Sequence, residues 1–278
     1  MTVSPGVLLP PLVVFLDGVG LLGPGFDAWE EGRQQLAGLV PTRAQKTVLP
    51  VPAALPAAER RRAGAIVKLT LAVGLQAVQA AGLDPARLPS VFASSGGDGQ
   101  NCHEMCTALA SPEKPISPTR FHNSVHNAAS GYWGIATGSM AGSSVLCAFD
   151  GSFAAGLLEA ITLAVAEQTP VLLLVYDTDY PEPLRSARPV PDSFGVALVL
   201  SPHRTARSLA CIRLQGDACL TGDPADRLAD PVLESLRRAV PAARGLPLLR
   251  ALAVRYSGRV VLDYLDGLQL ALDLSPCA

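Results

Sequence analysis

Cys147, Asp150 and Ser152 stand close together where an apolar β-rich run, Ser143 to Phe149, turns at Asp150-Gly151 into an apolar helix starting at Ser152. A strand, a sharp turn and a helix N-terminus are the parts of a nucleophile elbow. There, backbone N–H groups and the helix dipole stabilise a thiolate or an acyl oxyanion. Serine hydrolysis fits poorly. The G-x-S-x-G pattern is absent, Ser152 falls inside the helix rather than at the apex, and His203 is the single histidine downstream. Alternation along the run predicts a buried Cys147, and Ser152 reads as a first-turn residue.

Two other constellations could carry chemistry. Cys102-His103-x-x-Cys106 with His122-x-x-x-His126 offers the thiolates and imidazoles that zinc prefers, but the spacing matches no common finger, and Asn123 and Asn127 beside the histidines suggest a polar turn. Gly18-x-Gly20-x-x-Gly23 has dinucleotide-binding spacing. Pro24-Gly25 follows where a helix should open, and no acid lies near Leu39 to Lys46, so the glycines read as a strand-end turn. Neither a metal nor a cofactor is expected.

The elements that must position these residues alternate. Strand candidates are Leu12 to Leu16, Val91 to Ser94 running into the Gly96-Gly-Asp-Gly turn, Ser143 to Phe149, Val171 to Tyr176 and Phe194 to Leu200. Between them lie helices predicted over Ala28 to Leu39, Glu59 to Ala81 (ended by Gly82) and Ser152 to Glu167, with a proline-rich loop from Pro41 to Ala58. That order argues for an α/β layered fold. Beyond Pro202 the pattern changes to a strand over Ser208 to Leu214, a helix near Pro231 to Val240, and a hairpin of Arg259 to Leu265 and Leu268 to Leu274 joined at Asp266-Gly267.

Composition narrows the function. Of 278 residues, 49% are hydrophobic and 17% charged, and the mean hydropathy is +0.31. So apolar a chain is expected to bury part of its surface against another subunit. A net charge of -2 without a long basic run removes the electrostatic footprint of a nucleic-acid binder; Glu59-Arg-Arg-Arg reads as a solvated first helical turn. The start lacks a signal peptide's positive charge, and Pro5, Pro10 and Pro11 interrupt its apolar stretch. No run reaches the ~18 to 20 apolar residues of a membrane span, and the six cysteines suggest reduced, buried thiols rather than disulfides. These features predict a cytoplasmic protein.

Four segments together resemble the N-terminal half of the β-ketoacyl synthases, the thiolase-like condensing enzymes of fatty acid and polyketide assembly. Asp17-Gly-Val-Gly-Leu-Leu-Gly with Trp29 and Leu36-Ala-Gly38 resembles the family's opening strand and helix. Val91-Phe-Ala-Ser-Ser-Gly-Gly-Asp-Gly is similar to its second strand and turn. Asn127-Ala-Ala-Ser-Gly131 is similar to the segment before the active-site strand, and Gly195-Val-Ala-Leu-Val-Leu to the strand closing the first half. The resemblance implies a mixed sheet flanked by helices. One thiolase half-domain is expected over residues 1–202, with a short extension over 203–278, hairpin included, packed on it.

Counting from Gly131 through Gly138, the family's catalytic cysteine falls on Asp150. A carboxylate can accept the same N–H groups, but it is too weak a nucleophile to hold an acyl chain. The family's two catalytic histidines have no counterpart after Pro202, and His203 in Ser-Pro-His-Arg matches neither motif. The chain thus resembles the cysteine-less chain-length factors that pair with active ketosynthases. Phe121-His-Asn-Ser-Val-His-Asn-Ala-Ala-Ser-Gly-Tyr-Trp is most similar to the synthase-like proteins of aryl-polyene clusters, although such factors usually carry glutamine where Asp150 stands. The resemblance implies pairing with a catalytic β-ketoacyl synthase, or with a second copy, through Ser143 to Phe149, and contact with acyl carrier protein through the complex. It places His126, Asn127, Phe149, Asp150 and Phe153 near the subunit contact or acyl tunnel. The alternative is a stand-alone acyltransferase or hydrolase using Cys147 or Ser152.

Overall fold

Val171 to Asp177 alternates its side chains between two cores, and the rest of the fold is layered on that alternation. Val171, Leu173 and Val175 enter one apolar cluster, while Leu172, Leu174 and Tyr176 enter the other. The computed structural model describes residues 10–43 and 45–278. Pro5 and the opening residues of the expected 1–202 half-domain lie outside these.

The strands are β1 (Leu12–Leu22), β2 (Ser90–Ala93), β3 (Ser143–Leu146), β4 (Val171–Asp177), β5 (Phe194–Ser201), β6 (Ala210–Leu214), β7 (Leu220–Thr221), β8 (Gly258–Leu265) and β9 (Leu268–Pro276). The helices are α1 (Trp29–Leu36), α2 (Ala57–Arg62), α3 (Ala65–Ala81), α4 (Gly99–Ala110), α5 (Pro118–His122), α6 (Ala128–Thr137), α7 (Ser152–Glu167), α8 (Leu184–Ala187), α9 (Pro231–Ala239) and α10 (Leu246–Ala253). Among the described residues the strands make one sheet in the order β3-β2-β4-β5-β1-β6-β9-β7, with β8 also paired to β9. β3, β2 and β4 run parallel and the remaining pairs are antiparallel. This is the mixed, helix-flanked α/β fold expected from the sequence.

Buried residues of α3 and α6 cover one face of the sheet, and those of α7, α10 and the 3-10 turn Pro241–Gly245 cover the other. β4 and β5 are buried along their whole length, as a doubly covered sheet requires. Residues after 202 continue the same sheet, because β6 pairs with β1 and β9 with β6. The closing hairpin turns at Gly267, whose φ of 70° suits glycine.

Four expectations need correction. β1 does not stop at Leu16: it continues through Gly18 and Gly20 to Leu22, so these two are strand residues, while Gly23 does open the turn at the strand's end, bridged to Phe26. Their smallness serves contact with α3. A Cβ on Gly18 would lie 2.2 Å from the Ala77 carbonyl oxygen, and one on Gly20 1.9 Å from that of Val73. The helix predicted over Glu59 to Ala81 is broken, because Ala63 and Gly64 adopt extended backbone between α2 and α3. β3 is neither buried nor as long as Ser143 to Phe149; it ends at Leu146, lies at the sheet edge, and is partly exposed.

The fourth correction concerns membrane length. Phe149–Glu167 is long and apolar enough to span a bilayer. It is a core helix all the same, since Phe153, Ala154, Leu157, Ala160, Ile161 and Ala164 are fully buried.

Between α4 and β3 the surface is unusually apolar. Leu109, Ile116, Phe121, Val125, Ile135 and Met140 are exposed there, Met140 to 95%.

Candidate functional site

The chain leaves β3 at Leu146 and enters α7 through a 3-10 turn, Phe149–Gly151. Phe149 takes φ 50°, a left-handed conformation costly for a bulky side chain, so the backbone apex of the elbow is Phe149, one residue before Asp150. Ser152 locks the turn from inside. Its hydroxyl donates to the Phe149 carbonyl at 2.7 Å and accepts from the Ala148 N–H at 3.0 Å, and the residue is fully buried. Gly151 admits the hairpin overhead, since a Cβ there would stand 2.0 Å from the Tyr264 carbonyl oxygen.

Asp150 is clasped by two arginines. Arg188 Nη2 donates to Oδ1 at 2.7 Å and Arg244 Nη2 to Oδ2 at 2.9 Å. The Arg188 guanidinium also lies 3.7 Å from the centroid of the Phe149 ring, a cation–π contact. The pairing continues from Arg244 toward Asp263, and Arg237 joins Asp263 to Glu234. Arg237 holds the Glu234 carboxyl well below its usual range, down to about 2. Acids and arginines so alternate from the elbow to α9, and the carboxylate at Asp150 has both oxygens engaged.

At the carboxyl ends of the parallel strands Asp177 makes a second link. It accepts from Ser94 Oγ at 3.3 Å, Ser95 N at 2.9 Å, Ser95 Oγ at 2.7 Å and Ala242 N at 2.8 Å. Burial pushes its carboxyl up, although the Ser95 and Ala242 hydrogen bonds oppose that. Asp177 and Asp150 both tie the first-half strands to residues 241–245.

Cys147 is exposed, not buried as alternation suggested, because β3 ends one residue earlier. Its thiol donates to the Ser95 carbonyl at 3.1 Å. Cys102 and Cys106 are exposed too, a second departure from the expected buried thiols. Among the described cysteines none forms a disulfide.

The other sequence candidates are not gathered at the elbow. His126 and Asn127 are exposed on the segment before α6. His126 lines a separate cavity of about 340 Å³ with the Gly96–Asp98 turn, Cys102 and Cys106. Among the described residues no group of three or more His, Cys, Asp or Glu side chains is arranged to hold a metal ion. Phe153 is fully buried, its ring filling the space where a side chain on Gly245 would sit. Phe149, by contrast, is 60% exposed and lines a cleft of about 620 Å³ with Asp150, Arg188 and one side of α9. Arg188 and Arg244 were invisible in the sequence: they lie 38 and 94 residues from Asp150, and no motif marks them.

Known proteins bear on this geometry. Residues 29–236 match the family described as beta-ketoacyl synthase, N-terminal domain, a match that runs beyond residue 202. No curated protein matches the sequence. A chain from the complex of a ketosynthase (ApeO) with its chain length factor (ApeC) from Xenorhabdus doucetiae superposes with a TM-score of 0.70 at 20% identity, covering 95% of this chain and 99% of that one. The ishigamide ketosynthase/chain length factor gives 0.66 at 13% identity over 96% and 100%. A type II PKS acyl-carrier protein complex with its ketosynthase, AntDE:AntF, gives 0.69 at 13% identity, again over 96% and 100%. At these identities the likeness is one of fold.

Proposed function

This chain belongs to the β-ketoacyl synthase family, and from that premise we propose that it is a largely non-catalytic, chain-length-factor-like subunit that pairs with an active ketosynthase. The observation that carries the reading is the elbow. Phe149 and Asp150 fill its apex, and two arginines engage both carboxylate oxygens, so the turn offers no thiol for an acyl chain. The pair would assemble through β3, whose outer edge is unpaired among the described residues and is flanked by the apolar surface between α4 and β3. His126 and Asn127 border that surface. In this reading Phe149 and Phe153 limit the depth of the acyl tunnel. Residues 1–202 act as the ketosynthase-like half and 203–278 as an extension clasped to it. The assembly works in the cytoplasm on carrier-bound acyl chains of the polyketide or fatty-acid type, aryl polyenes included, with a homodimer as the alternative assembly.

Coexpression with a neighbouring ketosynthase followed by sizing and acyl labelling tests this. A heterodimer labelled on the ketosynthase alone is the expected result. Stoichiometric acylation of the isolated chain would sink the reading.

One observation favours the rival of an independent acyltransferase, namely the exposure of Cys147 at the end of β3. Turnover by the purified chain that Cys147→Ala abolishes would establish it. Ser152 is the poorer nucleophile, being buried with its hydroxyl committed to the turn.

A further inference from the structure

We propose that one face of α4 binds a soft monovalent cation, Cu(I), through the thiols of Cys102 and Cys106, with the Met105 thioether as a third, weaker ligand. The three sulfur residues stand at i, i+3 and i+4 of the helix, the spacing that puts side chains on one face. All three line the cavity of about 340 Å³ beside the Gly96–Asp98 turn. Cys102 and Cys106 are exposed, and their thiols share a hydrogen bond, so the two sulfurs stand within reach of one ion.

The surroundings favour a cation. No lysine or arginine lines the cavity among the described residues, whereas Asp98 does, and His126 brings an imidazole from the segment before α6. Arg120, which acts on Asp98 from α5, is itself paired with Glu104. Partial desolvation, and then the Cys106 thiol beside it, push the Cys102 thiol up. Two neighbouring thiolates repel, and a cation between them removes that repulsion.

The donor set decides which cation. Zinc takes four ligands, and no group of three or more His, Cys, Asp or Glu side chains is arranged for it among the described residues; His103 and His122 do not line the cavity. Thiolate and thioether sulfur select Cu(I), which two thiolates suffice to hold. Binding forms two Cu–S bonds and releases the two S–H protons to solvent, and neither copper nor sulfur changes oxidation state. The ion can load the isolated chain, whether or not a ketosynthase pairs with it.

The test titrates the fully reduced, isolated chain with Cu(I) under anaerobic conditions, in competition with bicinchoninate. One copper per chain is expected, with sulfur in its first shell by X-ray absorption. Cys102→Ser/Cys106→Ser should lose that copper while keeping the parent's melting temperature, Cys147→Ser should retain it, and Met105→Leu should weaken binding on the order of tenfold. Retention of the copper in the double variant would overturn the site, as would its loss in Cys147→Ser. A first shell without sulfur, or displacement of the copper by an equal concentration of Zn(II), would overturn the ligand class. One copper per two chains with dimerisation on sizing would also overturn it, because the thiols would then come from two copies.

Discussion

Arg188 serves both residues of the elbow apex: its Nη2 donates to Asp150 Oδ1 at 2.7 Å, and its guanidinium carbon lies 3.7 Å from the centroid of the Phe149 ring. One cation therefore answers a carboxylate and a strained aromatic residue together. Arg244, reaching from the 3-10 turn that follows α9, holds the other carboxylate oxygen and fixes the elbow to the later part of the chain.

Asp150→Asn tests that clasp. The substitution keeps the shape but leaves Arg188 and Arg244 without the charge they share. Asp150 is partly solvated, so screening limits the loss to about 1 kcal/mol, or roughly 2–4 °C in melting temperature. The difference from the parent is expected to shrink in high salt. A melting temperature unchanged at low salt would mean that the clasp contributes nothing.

Gly20→Ala tests the contact of β1 with α3. The added methyl would meet the Val73 carbonyl at 1.9 Å, a backbone atom that no rotamer change can move aside. Such overpacking costs about 1–3 kcal/mol and can cost more. Denaturant unfolding should show a lower midpoint with an unchanged slope; equal stability would place the glycine's purpose elsewhere.

The two glycines mark the limit of what the sequence disclosed. Apolar runs located β4, β5 and α7, because continuous burial and helical period are local properties. The Gly-x-Gly spacing was equally visible, yet its cause is α3, whose backbone crosses β1 more than fifty residues later. The elbow behaves likewise. Its strand-turn-helix order was legible, but the apex fell on Phe149 because β3 ends at Leu146, and the length of an edge strand is set by its one neighbour, β2. The arginines that engage Asp150 come from distant loops, so only tertiary structure brings them there.

Acid titration should separate two opposed groups of carboxylates. Glu234 binds its proton less tightly folded than unfolded, so its stabilisation is complete above about pH 4.5 and is lost as pH falls toward about 2. Asp98 and Asp177 are shifted up, chiefly by burial; their contribution is present below 3.8 and declines as pH rises past it. Glu234→Gln should lower stability at pH 7 by on the order of 1–2 kcal/mol after screening, and flatten the loss between pH 4.5 and 2. A variant that keeps the parent's acid slope would assign that slope to other groups.

Ser143→Pro addresses the edge of β3. The Gly142 and Leu146 carbonyls accept from the Ser90 and Ser94 N–H groups, so alternate backbone groups face β2, and those of Ser143 and Val145 point outward. Proline is tolerated at the first residue of an edge strand, and Gly142 before it accepts the extended backbone that proline imposes. The isolated chain should therefore unfold within about 1 kcal/mol of the parent. Pairing with the ketosynthase should weaken about tenfold, since an outward donor is lost and the ring intrudes on the facing strand. Because the expected changes in folding and in pairing differ so widely, one preparation measured by melting and by sizing separates them. Normal pairing by a folded Ser143→Pro chain would move the subunit contact away from β3.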